Sequence, residues 1–462
     1  MSLQYNKCTK SLMSIEDMLL KRWGSLSRFM MSFTIIRLIV ALLLLPLYMT
    51  RVVLRSVPCI FINTFRFMIV AGCRLLINDT EKYRAQEQLQ AQSQFNTRYV
   101  FPEDVVLRLH RNGKGSLSDM PFANNIEEIS VCGATARYIH IKPENNGVHG
   151  EYERKSPIVL LHGNPSWSYI WRNVMPKLVE QGHEVFALDW IGHGRSDKIT
   201  RQTCISFELH MRTLIELFES TGLEDATLVA HDWGGCIALC TLPHLRANAC
   251  RGLFLLNAFL PPRPSDMSLH YGLLYAIWFM STGIMDGYLP ESGVMRFMSP
   301  HLPQKEIEGY EAPYRDFPLN SKAGVFRFAH IAPGMPEFVL RSLRETWLWK
   351  LGEGLCGPIH FSSLNAQTSL SARGDEVRQF WRNGDMKARR SAGSEAPFRV
   401  VVVFGEDDPL LKDYKHILTQ TINADLMVDW APSGIWLSNA GHYPVEERPG
   451  DIADLIVEFS SS

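Results

Sequence analysis

The chain has 462 residues, a length that predicts two or three folding units. Its 47 Lys and Arg are balanced by 48 Asp and Glu, so the composition argues against a nucleic-acid-binding surface. The nine cysteines are scattered, and their odd number and lack of C-x-x-C spacing argue against a disulfide framework and a metal site. We therefore expect no metal and no cofactor.

The N-terminal part of the chain predicts a membrane anchor. Basic residues dominate residues 1–28, and the apolar run Phe33–Met49, with the residues just before it, reaches the roughly 20 residues that a bilayer span requires. Arg37 interrupts this run, at a cost that the many Leu, Ile and Val residues should outweigh. A second apolar segment, Val57–Ile77, contains two arginines and could close a hairpin or lie in the membrane interface. We assign residues 1–78 to the anchor.

Two other interpretations of the anchor segment are weaker. A secretory signal peptide would have a shorter basic region and a small-x-small cleavage site soon after the apolar run. A buried soluble helix is not required by the core that follows. The basic N-terminus favours the cytoplasmic side, so a single span would put the rest in a lumen and a hairpin would return it to the cytoplasm. The protein is thus predicted to be membrane-anchored, with the endoplasmic reticulum as one candidate membrane and the side left open.

After a polar linker, residues 79–118, strands and helices alternate in residues 119–260. A hairpin is predicted over Ile126–Ile141, and Phe207–Thr221 has the period of a helix. The apolar runs that predict further strands are Ile158–Leu161, Glu184–Asp189, Ala226–Ala230 and Gly252–Leu256. This alternation predicts an α/β fold with a mostly parallel sheet and helices on both faces.

Residues 261–396 interrupt the alternation with helical stretches rich in Tyr, Trp, Phe and Met. Such a block, inserted before the last strands, predicts a helical cap that covers the active site and lines the roof of its pocket. Residues 397–462 complete the core with the strand Val400–Phe404, a strand leading to Asn439 and a last helix over Asp451–Phe459.

The sharpest motif follows the strand Ala226–Ala230. The pattern small-x-nucleophile-x-small-small, here Ala230–Gly235 with Asp232 at the nucleophile position, is the strand-to-helix turn of the α/β-hydrolase fold. Its flanking residues must be small because the turn is tight. A surface Asp in an ordinary loop after a strand could have a similar sequence. An acidic strand exit at Asp408 and a later His442 complete the chain order of nucleophile, acid and histidine that α/β-hydrolase triads share.

An aspartate nucleophile indicates a particular chemistry. Its carboxylate needs no deprotonation and can displace a leaving group from an sp³ carbon, which forms an alkyl ester. His442 would then deprotonate the water that hydrolyses the ester, and Asp408 would orient the imidazole and stabilise its cation. Backbone N–H groups of Trp233 and Asn164 would form the oxyanion hole for this second step.

Five stretches carry a resemblance to a known family. They are His162–Arg172, His231–Gly235, Asp189–Lys198, Asn257–Ala258 and Gly309–Tyr314. Together they resemble the haloalkane dehalogenases, over about residues 119–462 except roughly 340–375, which looks like an insertion. The resemblance implies an α/β-hydrolase fold and the conversion of a haloalkane and water to an alcohol and halide.

The resemblance also implies a halide site. The indole N–H of Trp233 and the side-chain amide of Asn164 would bind the leaving halide. Another subfamily uses a cap Trp as its second donor, but Met298 stands at the matching place here, which leaves Asn164 in that role. Together with Asp nucleophile, His base and Asp acid, this is the pattern of the family's third subfamily.

Side chains next to these motifs have other expected roles. His162 and His231 do not lie at the base position, so we expect them to be structural. Asp407 is an alternative acid, but the spacing from Gly405 to Asp408 fits the family.

Three other functions stay open. The β-lactone decarboxylases of long-chain olefin synthesis are similar to the same subfamily and use the same Asp, and a membrane anchor suits their greasy substrate. Epoxide hydrolases share the nucleophile but need cap tyrosines to protonate the epoxide oxygen. The chain offers Tyr271, Tyr275, Tyr288, Tyr310 and Tyr314. A non-catalytic binding protein would not need the triad. The expected partners are a small apolar or long-chain substrate and a membrane, with no nucleic acid.

Overall fold

The computed structural model describes residues 93–95, 99–109, 117, 119–144, 155–263, 266, 268, 274, 275, 277, 278, 282, 291–331, 369–387 and 397–461. The predicted membrane anchor, residues 1–78, lies outside the described residues, as does most of the segment near 340–375 that looks like an insertion. Among the residues that are described, no helix is both long enough and apolar enough to span a membrane.

A mixed, mostly parallel sheet of eight strands forms the centre of the fold. The strands of the chain are β1 (Val106–Leu107), β2 (Ile126–Val131), β3 (Ala134–Ile141), β4 (Ile158–Leu161), β5 (Val185–Asp189), β6 (Lys198–Ile199), β7 (Ala226–His231), β8 (Cys250–Leu256), β9 (Arg399–Gly405) and β10 (Ile435–Leu437). The order in the sheet is β10-β9-β8-β7-β4-β5-β3-β2. Neighbouring strands are parallel from β10 to β5 in this order. The strands β2 and β3 form an antiparallel hairpin, and β3 pairs antiparallel with β5. The predicted sheet and hairpin are confirmed.

The helices whose bounds the structure describes are numbered α1 to α10 in chain order. They are α1 (Met175–Glu180), α2 (Phe207–Thr221), α3 (Trp233–Thr241), α4 (Glu291–Met298), α5 (Gln304–Glu311), α6 (Ala323–Ile331), α7 (Ser369–Asn383), α8 (Tyr414–Thr421), α9 (Pro444–Glu447) and α10 (Pro449–Ser461). The bounds of α2 are those predicted from its period, because strong local signals stand at both ends. The Ser206 hydroxyl accepts the Leu209 N–H at the start, and Gly222 takes the left-handed conformation at the end.

The central strands bury both faces. Every residue of β4 and of β7 is buried, which is why each appears in the sequence as a continuous apolar run rather than an alternating one. The carboxyl ends of these parallel strands meet at one edge of the sheet, where ligands bind in open α/β folds. The loops that carry the predicted site residues therefore start side by side.

The described helices α4 to α7 come between β8 and β9 in the chain, where the cap was predicted. Two buried indoles form hydrogen bonds between these helices and the core, each to a backbone carbonyl on the other side. Trp167 Nε1 donates to the Gly309 carbonyl of α5 at 3.1 Å, and Trp381 Nε1 of α7 donates to the Leu239 carbonyl of α3 at 2.9 Å. The cap is thus joined by hydrogen bonds to the loop after β4 and to α3, the helix that follows Asp232.

Part of the segment assigned to a linker packs on the core. Gln94 is fully buried and its Nε2 donates to the Cys204 carbonyl at 2.7 Å. Further on, β1 pairs antiparallel with β6, and the Leu109 N–H donates to Asp197 Oδ1 at 2.9 Å. Phe101 and Val105 join the main hydrophobic core. These residues belong structurally to the hydrolase core, because their apolar side chains and backbone groups find partners there.

Candidate active site

Asp232 occupies a strained turn between β7 and α3, with φ 53° and ψ −117°. Non-glycine residues seldom adopt a positive φ, and such strain persists only where the surroundings enforce it. A Cβ atom on Gly163 would lie 2.5 Å from the Cβ of Asp232, and one on Gly234 would lie 2.6 Å from the Leu161 carbonyl oxygen. Glycine is therefore required at both positions, because the carboxylate is pressed against the backbone of the loop after β4.

Three of the predicted site residues form one buried row. His442 Nδ1 donates to Asp408 Oδ2 at 3.0 Å, and His442 Nε2 lies 3.7 Å from Asp232 Oδ2. The second separation exceeds a hydrogen bond, as is common in sites without a bound substrate. The other oxygen of Asp232, Oδ1, accepts the backbone N–H of Asn164 at 3.0 Å, and the backbone of Trp233 also bonds to this carboxylate. The structure therefore brings together all five residues predicted for the site.

Asp408, and not its neighbour Asp407, faces the imidazole. Asp408 Oδ1 accepts two backbone N–H groups at 2.8 and 3.0 Å, which fixes the carboxylate. Its Oδ2 accepts Asn257 Nδ2 at 2.7 Å besides the His442 Nδ1 bond. Sequence reasoning noted Asn257 within a motif but gave it no role. Its position at the carboxyl end of β8, next to β9, was the signal that could have placed it beside the acid.

The pKa values of the row are set by burial and by the charges within it. Burial raises the pKa of Asp232, against the opposing effect of His442. Burial would also raise the pKa of Asp408, but the charge and hydrogen bond of His442 outweigh it and hold that pKa below its usual range. Burial alone would lower the pKa of His442, yet the Asp408 and Asp232 charges raise it. The row therefore favours an ionised Asp408 and an imidazole that readily becomes a cation.

His162 and His231 form hydrogen bonds with backbone groups and not with the carboxylate of Asp232. His162 Nδ1 donates to the Gly163 carbonyl at 2.7 Å, and its Nε2 accepts the Trp190 N–H at 3.2 Å. His231 Nε2 donates to the carbonyl of His442 at 2.8 Å. Burial lowers the pKa of His162 to about 4 and that of His231 to about 3, so both are neutral at physiological pH. Their positions agree with the expected structural role.

Asn164 and Trp233 both bond through their backbones to the carboxylate of Asp232, and their side chains have separate surroundings. The Asn164 side chain is 7% exposed, its Oδ1 lies 3.2 Å from His193 Nε2, and its Nδ2 has no hydrogen-bond partner in the described part of the chain. The Trp233 indole packs edge-to-face against Phe259 and Phe328, with ring centroids 5.1 and 4.9 Å away. Sequence reasoning missed His193 and Phe328, because nothing in their local sequence marks these long-range contacts.

The cap contributes polar groups of its own. Burial, and then the Asp232 charge, raises the pKa of Tyr275, whose hydroxyl donates to a backbone carbonyl of α6 at 3.3 Å. The Tyr314 hydroxyl donates to the carbonyl of Gly192, in the loop after β5, at 3.3 Å. Tyr271 and Tyr288 lie outside the described residues. Within the part of the chain that is described, no group of three or more His, Cys, Asp or Glu converges as metal ligands would.

A buried ion-pair network ties the cap to the loop that bears His442. Arg172 binds Glu446 in a bidentate manner at 2.6 and 2.8 Å, and its Nε donates to Glu306 of α5 at 2.8 Å. The Tyr310 hydroxyl, also from the cap, donates to Glu446. Glu446 is four residues after His442, so one carboxylate is shared by core, cap and the loop of the imidazole.

Comparison with known proteins agrees with this geometry. The family model for the α/β-hydrolase fold matches residues 156–282. Haloalkane dehalogenase 1 of Mycobacterium tuberculosis is 34% identical over 181 residues, which cover 39% of this chain and 58% of that protein. The haloalkane dehalogenase of Mycolicibacterium paratuberculosis is 30% identical over 243 residues, which cover 52% of this chain and 76% of that protein. The chain belongs to the haloalkane dehalogenase family. This membership agrees with the family that the sequence motifs indicated, although the chain spans less than two thirds of the length of the first of these relatives.

Two further comparisons bear on this haloalkane dehalogenase relative. The solved structure of the haloalkane dehalogenase DpaA from Paraglaciecola agarilytica NO2 has a TM-score of 0.55 and 21% identity, covering 76% of this chain and 97% of that one. At this identity the likeness supports the fold. Epoxide hydrolase A of Mycobacterium tuberculosis is 27% identical over 322 residues, covering 66% of this chain and 91% of that protein. The chain thus shares sequence with two classes of enzyme.

Proposed function

We propose that the protein hydrolyses haloalkanes to an alcohol and halide in two steps, with Asp232 as nucleophile and His442 as base. The observation that carries the proposal is the division of labour between the two oxygens of one buried carboxylate. Oδ1 is held by the backbone N–H of Asn164 at 3.0 Å, and Oδ2 lies on the side of His442. One oxygen is thus restrained and the other is left to react.

In the first step Oδ2 of Asp232 attacks the carbon that carries the halogen. A carbon–oxygen bond forms as the carbon–halogen bond breaks, and the halide leaves with the electron pair. The buried Nδ2 of Asn164, which lacks a partner in the described residues, and the indole N–H of Trp233 would donate to that halide. Donors aimed at a charge that develops in a dry site are worth a few kcal/mol each.

In the second step His442 removes a proton from water, whose oxygen attacks the Cγ carbon of the ester. Negative charge then develops on Oδ1 of Asp232, to which the backbone N–H of Asn164 already donates, and the backbone of Trp233 bonds to the same carboxylate. When the bond between Cγ and Oδ2 breaks, the leaving alkoxide oxygen takes the proton of the imidazolium and departs as the alcohol. The carboxyl of Asp232, which now carries the oxygen of the water, then loses its proton to solvent. Asp408, with Oδ2 at 3.0 Å from His442 Nδ1, would stabilise that cation.

The decisive experiment traps the ester. With His442→Phe, a series of 1-bromoalkanes of rising chain length should leave a stable alkyl adduct on the peptide that contains Asp232, detected by mass spectrometry. The double variant Asp232→Asn/His442→Phe is the control and should carry no adduct. Absence of an adduct with every bromide of the series would reject the proposed mechanism.

Epoxide hydrolysis is the second candidate, and Tyr275 favours it. Its ring comes from the cap, and its pKa is raised by burial and by the charge of Asp232, so its hydroxyl keeps a proton near the nucleophile. The relative with 27% identity over 322 residues is an epoxide hydrolase. Styrene oxide and a long-chain β-lactone therefore belong in the substrate panel. If epoxide opening is native, Tyr275→Phe should abolish it and spare the alkylation of Asp232 by a bromide.

We also propose that residues 1–78 anchor the enzyme in a membrane and that its substrate is small and apolar or long-chain. The support is the apolar run Phe33–Met49 and the basic residues before it. The full chain should stay in the membrane fraction after an alkaline carbonate wash, whereas a chain that begins at residue 79 should not. Release of the full chain by that wash would reject the anchor.

A further inference from the structure

The side chain of Asn164 can present either of two opposite faces to the reacting atoms. Its amide carries a carbonyl oxygen at one end and two N–H donors at the other, and a half turn about the last bond exchanges them. Only the N–H end can bind a halide, since the oxygen would repel it. A neighbouring group must therefore decide which end of the amide faces the pocket. The neighbour is His193, whose Nε2 lies 3.2 Å from Asn164 Oδ1.

His193 is completely buried, in the loop after β5. Burial, and then the charges that His162 and His210 would carry, hold the pKa of His193 well below its usual range, so the ring is neutral. A neutral imidazole has one N–H. If it is on Nε2, it donates to Oδ1 of Asn164 and turns Nδ2 toward Asp232. If it is on Nδ1, Nε2 becomes an acceptor that would draw Nδ2 to itself and turn Oδ1 into the pocket.

The surroundings favour the first arrangement. Asn164 Nδ2 is buried and has no partner among the described residues, which leaves it available to donate to a bound halide, and His193 Nδ1 makes no hydrogen bond with them either. The Ile191 backbone raises the pKa of the ring against the larger effect of burial, so it does not change the conclusion that the ring is neutral. The hydrogen bond to Oδ1 is the interaction that one tautomer gains and the other loses.

Packing holds the ring in place. Phe328, from cap helix α6, meets the His193 ring edge-to-face with centroids 4.7 Å apart. The same Phe328 meets Trp233 edge-to-face at 4.9 Å. One cap side chain thus packs against the ring that bonds to Asn164 and against the indole of the other proposed donor, Trp233, which helps to keep the His193 ring beside Asn164.

We propose that His193 is a positioning residue whose Nε2–H binds Asn164 Oδ1 and so turns the Asn164 amide N–H toward the leaving halide. This inference rests on the proposed function and deepens it, since it explains how one of the two donors is aimed. His193 itself does not touch the substrate.

Three variants of the full-length protein test the inference. His193→Leu removes the donor, and bromide, followed by quenching of Trp fluorescence, should bind about 10-fold more weakly. The rate of alkylation of Asp232, measured in the His442→Phe background, should fall by a similar factor. His193→Gln has an amide N–H at the place of Nε2 and should restore both values to within about 3-fold of wild type. His210→Leu is the matched control. It makes the same change at a buried ring 6.4 Å from that of His193 and should leave bromide binding unchanged.

The outcomes separate the two proposals. If the wild type neither binds bromide nor forms an alkyl adduct, the proposed function fails. If the wild type does both and His193→Leu matches it, only the role of His193 is overturned. The inference is also overturned if His193→Gln is as impaired as His193→Leu. The ¹⁵N spectrum of the wild-type histidines decides independently of variant folding, since Nε2 of His193 should carry the proton and a proton on Nδ1 would reject the inference.

Discussion

The two halves of the site are built in different ways. The core half consists of backbone: the Asp232 turn, the loop after β4 and the two N–H groups on Asp408 Oδ1, with hydrogen bonds of 2.8–3.0 Å. The cap half consists of side chains from its helices, such as Phe328, which packs against Trp233 and His193. The core half is therefore held by the sheet, whereas the cap half depends on which side chains fill the space.

This difference separates the chemistry from the choice of substrate. Groups positioned by backbone cannot shift without disturbing the sheet, so the proposed ester chemistry should tolerate changes in the cap. Side chains that line the cap can be exchanged one at a time, which changes the shape of the pocket and leaves the nucleophile in place. Changes in the core half should therefore affect rate, and changes in the cap half should affect substrate range.

The largest effect is expected from Asp232→Asn. An amide cannot displace halide, so steady-state turnover should fall on the order of 10⁴-fold or more. Turnover of the best substrate of the panel is the measurement, with mass spectrometry of the variant before and after the assay. If Asp232→Asn turned over substrate at the wild-type rate without deamidation back to Asp, the role of this residue and the distinction between the core half and the cap half would both be contradicted.

Gly163→Ala tests the backbone of the core half. The new Cβ would lie 2.5 Å from the Cβ of Asp232, which cannot move without displacing the nucleophile. A displacement near 1 Å should slow alkylation about 10²-fold. Gly450→Ala is the control, because nothing lies within 4 Å of its added Cβ. Alkylation at the wild-type rate in Gly163→Ala would show that the turn carrying Asp232 can shift without loss of reactivity.

The pH dependence of ester hydrolysis tests the row behind the nucleophile. Hydrolysis requires neutral His442, whose pKa is raised by the charge and hydrogen bond of Asp408. The charge of Asp232, which also raises that pKa in the free enzyme, is lost in the ester, so the rate should rise with pH through a pKa that Asp408 sets against the burial of the ring. In Asp408→Asn the charge that raises this pKa is lost, so the acid limb should move to lower pH while the plateau falls about 10²-fold. Single-turnover decay of the ester measures both, and an acid limb at the same pH in the two proteins would contradict the assignment.

Gly309→Ala tests the cap half. Its Cβ would lie 2.4 Å from Cζ of Tyr169, a rigid ring on the core side, so α5 must shift outward. Overpacking of this kind costs about 1–3 kcal/mol in the free energy of unfolding. We expect a lower Tm and a changed preference among bromoalkanes of different length. The rate of alkylation by the smallest bromide should stay within about 3-fold of wild type. An equal loss on all substrates would mean that the cap and the nucleophile are not separable.

The smallest effect is expected from removal of residues 1–78. The deletion stops short of Gln94 and Phe101, which pack on the core, so the truncated protein should fold and turn over a soluble substrate at nearly the wild-type rate. A longer deletion through Leu109 removes these contacts and β1, and it should unfold. Thermal melting of both proteins measures the difference. Aggregation of the shorter deletion would show that the anchor segment packs on the enzyme.

The sequence predicted the core well because its signals are local. Apolar runs predicted β4 and β7, and a serine and a glycine marked the two ends of α2. The pattern of small residues around Asp232 identified the turn after β7. Parallel topology then required that the loops carrying Asp232, Asp408 and His442 meet at one edge of the sheet. The predicted residues of the site did lie together for that reason.

The rest depends on contacts between distant residues that have no local signature. Asn164 and His193 are 29 positions apart, and Arg172 and Glu446 are 274 apart. The packing of Gln94 on Cys204 spans 110 positions and lies in a segment whose polar composition predicts a linker. Each contact is specified by the finished fold and not by the sequence on either side of it, so one sequence could not reveal it.

The network around Glu446 gives the cap a mechanical link to the proposed base. If α5 swings away to release product, Glu306 and Tyr310 leave with it, so that Arg172 loses Glu306 and Glu446 loses Tyr310 at the same moment. The helical turn that starts just after His442 is then held less firmly at one end. Opening of the pocket would therefore loosen the imidazole, and closure would fix it again. The group proposed to activate water would then be held in place chiefly while the pocket is shut.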